Sequence, residues 1–145
     1  MVVRASIEVN APPEEVFGAL MDTGRYGEWN PFVTAVKGEI AKDHRVTLTV
    51  DLGGRIQKQR LVVREVVIPS LLVWTLAHEH GVFLRGGRTQ RVIPTEGGCR
   101  YESEERLEGL LSPVVSLFFE RGIRDGMEAS CDALKAWVEG GNARR

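Results

Sequence analysis

Few side chains in this 145-residue chain could do chemistry, and they are scattered. Arg88 and Glu105 offer a cation and a carboxylate. His78 offers a base that can change charge near neutral pH, and Gln90 and Gln59 offer neutral hydrogen bonds. In a cavity that excludes water, groups of this kind can polarise a carbonyl and move a proton. The same set also describes the few polar groups of an apolar pocket that only binds. For Arg88 with Glu105 a buried structural ion pair is the simpler reading. For His78 a partly buried strand position is simpler than a general base. Other candidates fall away on spacing. His80, beside Gly81, and His44, in a turn, read as solvated, and the three histidines lack metal-ligand spacing such as His-x-x-x-His on a helix. Cys99 and Cys131 are far apart and read as free thiols of a reducing cytosol. Ser112, followed by Pro113, reads as a helix cap rather than a nucleophile, and there is no Gly-x-Ser-x-Gly and no phosphate loop. Gly53-Gly54 and Gly86-Gly87 read as turn glycines, because no helix follows them.

Strand parity decides which of these groups share a face. With residues 95–98 as a loop, pairing Pro94 with Cys99 sets Val92 opposite Tyr101, Gln90 opposite Ser103 and Arg88 opposite Glu105. The other face then matches Arg91 with Glu102 and Thr89 with Glu104, and two Arg–Glu pairs in register favour this alignment over a one-residue slip. Val92, Tyr101 and Leu107 are the larger apolar set, so their face is expected inward, with Arg88 and Glu105 on it. In the preceding hairpin Leu72, Trp74, Leu76 and His78 share a face, with Leu61 and Val63 opposite and Gln59 further along. The expected site therefore comprises Trp29, Phe32, Trp74, Leu76, His78, Arg88, Gln90, Tyr101, Glu105, Phe119 and Met127. For Trp29 and Phe32, lining the cavity entrance and plugging the end of the core stay equally open.

The elements that must position them follow from periodicity. Val3 to Val9 alternates as a half-buried strand, and Pro12-Pro13-Glu14-Glu15 opens a helix buried through Val16, Phe17, Leu20 and Met21. A short turn of helix fits 25–32. Strands are expected at 34–40, 45–52, 56–67, 70–79, 85–93 and 99–107. Leu110 to Glu139 reads as one long helix, with Ile123, Met127, Ser130, Leu134 and Trp137 on its apolar face. At 1.5 Å per residue it spans roughly 40 Å. Gly122 and Gly126 lie inside it, where glycine costs about 1 kcal/mol against alanine. Close packing is the simpler reason for either, and space for a ligand the sharper one. The fold class is α+β: a curved antiparallel sheet wrapped around the C-terminal helix. Residues 1–140 form one domain and 141–145 a flexible tail.

Composition sets bounds. The chain is 43% hydrophobic and 27% charged with net charge −1, which fits a single globular domain and lends nothing to nucleic-acid binding. No apolar run is long enough to span a membrane, and the N-terminus enters a strand without a signal-peptide core, so a cytoplasmic location is expected. Nothing implies a cofactor or a metal.

Four stretches carry a family resemblance. They are Ile7-Glu8-Val9-Asn10-Ala11-Pro12 with Glu15-Val16-Phe17, Tyr26-Gly27-Glu28-Trp29-Asn30-Pro31-Phe32, Leu72-Val73-Trp74, and Glu105-Arg106-Leu107-Glu108-Gly109-Leu110-Leu111. In this order and spacing the chain resembles the START / pollen-allergen / polyketide-cyclase superfamily (SRPBCC) along nearly its whole length. The resemblance implies the helix-grip fold: seven antiparallel strands gripping a long C-terminal helix, with two short helices after the first strand. It also implies a deep cavity between sheet and helix for an apolar or amphipathic small molecule. Members include lipid carriers, hormone receptors, aromatic-polyketide cyclases and cochaperones, so the fold leaves the activity open. Carriage of an apolar ligand is the leading expectation. A cyclase/dehydratase using Arg88, Glu105 and His78 is the alternative, and a cochaperone-like interaction module the third.

Overall fold

The computed structural model describes residues 1–77 and 81–144. Its elements follow in the order β1 (Val2–Val9), α1 (Pro13–Met21), a 3₁₀ turn (Thr23–Arg25), α2 (Tyr26–Trp29), β2 (Val33–Lys37), β3 (Arg45–Leu52), β4 (Arg55–Val67), β5 (Leu71–Leu76), β6 (Arg85–Thr95), β7 (Gly98–Glu108) and α3 (Ser112–Glu139). The strands form one antiparallel sheet in the order β1-β7-β6-β5-β4-β3-β2. This is the helix-grip architecture.

Alternation explains the sheet's one-sided core. Along β3, Val46, Leu48, Val50 and Leu52 are buried while their neighbours are not. The register of the last hairpin is the expected one, with Arg88↔Glu105, Gln90↔Ser103 and Val92↔Tyr101. In the preceding hairpin Leu61 pairs with Leu76 and Val63 with Trp74, before a bulge between Val63 and Glu65 lets the long β4 bend. Gly86 and Gly87, expected in a turn, lie within β6 instead. A Cβ on Gly87 would sit 2.1 Å from the Trp74 carbonyl oxygen, so the neighbouring backbone passes where a side chain would be.

The long helix divides in two. Its buried residues are Ser112, then Ile123, Met127, Ser130, Cys131, Leu134 and Val138. Its C-terminal half packs on β1, where Lys135 Nζ donates to the Glu8 carbonyl. Its N-terminal half buries nothing fully between Ser112 and Ile123, and it bridges open space. Ser112 does not cap the helix. Leu111 holds the cap position, and Ser112 Oγ donates to the Leu107 carbonyl at 3.0 Å, tying the helix to the end of β7. After Gly140 the chain turns back. Asn142 Nδ2 donates to the Trp137 carbonyl, and Arg25 Nη1 donates to the Asn142 carbonyl. The residues expected as a flexible tail thus carry a 3₁₀ turn, Asn142–Arg144.

Candidate ligand cavity

The sheet curls away from the first half of α3 and leaves a cavity of about 620 Å³. Its floor comes from inward positions of β3 to β5: Leu48, Val50, Leu52, Leu61, Trp74 and Leu76. Its roof comes from Val115, Phe119 and Ile123 of α3, and Phe32 closes one side. About half of the lining is polar. Arg88 and Glu105 stand deep, and Gln57, Gln59, Lys37, Lys58 and Arg60 stand on the β2 and β4 side. Gly87 adds no side chain to the wall, which widens it beside Arg88.

Arg88 and Glu105 occupy one row across the sheet, Val63–Trp74–Arg88–Glu105–Val3. They do not form the close ion pair expected of them. Arg88, only 4% exposed, donates from Nε to Ser103 Oγ at 2.7 Å, and its guanidinium lies 5.6 Å from the centre of the Phe32 ring. That ring contact is within cation–π range. Among the described residues no hydrogen bond or ion pair reaches the Glu105 carboxyl, which faces the cavity. Burial pushes its pKa up to about 7, against the opposing pull of Arg88. A buried carboxyl with one cation nearby and no donor keeps its proton to higher pH than an exposed one.

The other expected residues divide. Phe32, Trp74, Leu76, Arg88, Glu105 and Phe119 line the cavity, and Trp29, Gln90, Tyr101 and Met127 do not. Met127 is fully buried core. Gln90 and Tyr101 lie in the packed layer, where the Tyr101 hydroxyl donates to Gln90 Oε1 at 2.6 Å and Gln90 Nε2 finds no acceptor. Burial raises the Tyr101 pKa, so the phenol stays a donor. Trp29 belongs to an aromatic plug at the far end. Its ring stacks on Trp137 at 6.5 Å and meets Tyr26 edge-on at 5.3 Å, while Arg25 covers Trp137. His78 lies outside the described residues, as does His80. His44 is half-exposed, with Nδ1 3.7 Å from Glu39. Cys99 and Cys131 are buried free thiols, and burial pushes Cys131 up to about 11, which disfavours a thiolate nucleophile. Of the lining residues that sequence reasoning passed over, Gln57 has inward parity near the start of β4, whereas Lys37 and Lys58 hold outward positions, opposite Thr47 and Thr49, and line the cavity against the alternation.

Beside the cavity, α3 turns an apolar face to solvent. Val114, Leu117 and Phe118 are exposed, Leu117 at 78%, and the nearby Leu111 amide donates to the Phe83 carbonyl. Among the described residues no group of histidine, cysteine and acidic side chains could hold a metal, and no helix is long and apolar enough to cross a membrane.

Residues 1–139 match the protein family described as "Polyketide cyclase / dehydrase and lipid transport". The chain belongs to this family. No curated protein sequence matches it. Solved structures share its fold at low identity. Protein NE0264 from Nitrosomonas europaea is 16% identical with a TM-score of 0.77, over 99% of this chain and 97% of its own. TTHA0849 from Thermus thermophilus is 16% identical with a TM-score of 0.77, over 97% of this chain and 99% of its own. The protein Ara h 8.0201 is 10% identical with a TM-score of 0.72, over 97% of this chain and 98% of its own. The family match, with this shared fold, places the chain in the SRPBCC superfamily of helix-grip proteins.

Proposed function

We propose that this chain binds and carries an apolar or amphipathic small molecule, held between the sheet and the first half of α3. The observation that carries the reading is the cavity itself: about 620 Å³, with aliphatic and aromatic side chains on its floor and roof and a polar share that includes Arg88 and Glu105. Pockets for small ligands run roughly 300–1,000 Å³ with few polar groups. The site residues proposed are Phe32, Trp74, Leu76, Arg88, Glu105 and Phe119. Native mass spectrometry of protein purified without added ligand tests it. A bound mass released by denaturation is expected. Bare protein that also takes up no added apolar molecule would contradict the reading.

One observation favours a second reading, a cyclase or dehydratase acting on a polyketide-like substrate. Burial pushes the Glu105 carboxyl up to about 7 beside the Arg88 cation, in the range where a general acid or base works. Arg88 would polarise a carbonyl and Glu105 would move the proton. A binder's ligand leaves unchanged. An enzyme's ligand leaves as a product of different mass or absorbance.

A further inference from the structure

Resting on the ligand-binding reading, we infer that the cavity selects amphiphiles with a neutral hydroxyl head, an alcohol or a phenol, whose proton Glu105 accepts and whose oxygen faces Arg88, and that it disfavours anionic heads of the same size. The geometry supplies both halves of this preference. Glu105 has an acceptor turned into the cavity and no donor from the described residues. A ligand O–H that reaches it replaces water there with a charge-assisted hydrogen bond. Arg88 is only partly free as an anion site. Its Nε already serves Ser103, its face lies over Phe32, and an ionised Glu105 on the adjoining strand offsets its charge. Directly paired residues stand about 5 Å apart at Cα. With Glu105 ionised, a carboxylate drawn to Arg88 therefore also lies close to a second negative charge, and the pair plus ligand bears a net negative charge. A neutral hydroxyl leaves the local charge balanced. Lys37, Lys58 and Arg60 are exposed, and water and salt weaken their pull on an anion.

The test is a titration with three fluorescent probes sharing one ring system: 1-pyrenemethanol, its methyl ether and 1-pyrenecarboxylate. Energy transfer from the tryptophans, Trp74 being in the cavity wall, reports occupancy. At about pH 8.5, above the titration of Glu105, the alcohol should bind about tenfold tighter than the carboxylate and severalfold tighter than the ether, which has no donor. In Glu105→Gln, which keeps shape and removes charge, the alcohol-to-carboxylate ratio should fall to about threefold or less. Carboxylate binding as tight as alcohol in the unaltered chain overturns the inference and leaves the ligand-binding reading standing. An unchanged ratio in Glu105→Gln does the same. Binding of none of the probes overturns both. The comparison in the unaltered chain does not depend on the variant folding.

Discussion

Glu105 sits in the cavity wall with Arg88 as its nearby cation, and burial outweighs that cation. Its pKa rises from an ordinary 4.5 to about 7 on folding, so between those values the folded chain holds a proton that the unfolded chain releases. Stability from this group is complete below about pH 4.5 and is lost as pH rises through about 7. At about 1.4 kcal/mol per unit the loss is at most about 3 kcal/mol. Glu104 and Glu139, both shifted downward, act only below that window. Urea unfolding at about pH 5 and about pH 8 should therefore show Glu105→Gln gaining on the unaltered chain at the higher pH. A pH-independent difference between the two proteins would contradict the placement of Glu105. The inward position of this residue was legible in the sequence, because two Arg–Glu matches fixed the hairpin register. The missing contact with Arg88 was not. Ser103 and Phe32 decide the rotamer of Arg88, and Phe32 comes from a distant segment that strand parity does not address.

The long helix shows what its glycines are for. A Cβ on Gly126 would stand 2.2 Å from the Phe32 ring, whereas one on Gly122 would meet Leu52 at an ordinary 3.8 Å. Gly126→Ala should destabilise by about 1–3 kcal/mol through overpacking, despite better helix propensity. Gly122→Ala should be neutral or stabilising by up to about 1 kcal/mol. Thermal melts of the two variants give opposite signs on this account, and equal losses would contradict it. Close packing explains Gly126, as the simpler reading had it. The helix was legible from its 3.6-residue apolar period, but its split into a packed half and a bridging half was not. Val115 and Phe119 continue the same period as Ile123 and Met127, and periodicity records which side faces inward, not whether anything fills the space there. Gly86 and Gly87 misled for a related reason, since a glycine pair marks a turn and a close strand crossing alike.

At the scale of the whole molecule, strand alternation, short turns and one long helix made the fold readable end to end. Cavity volume is different, because it depends on how far seven strands curl together, and no local pattern carries that sum. The cavity accordingly lies under the first half of α3 rather than beside Met127, where the helical glycines had pointed. The exposed apolar face of α3 at Leu117 and Phe118 could also attract an apolar probe, so binding alone does not locate the site. The decisive measurement is a calorimetric titration of 1-pyrenemethanol into the unaltered chain and into Leu76→Trp, whose added ring system fills the cavity from its wall. The expected result is about one molecule bound per unaltered chain and at least a tenfold loss of affinity in the folded variant, through steric exclusion from the pocket. Equal binding by the two proteins, or none by either, would contradict the account.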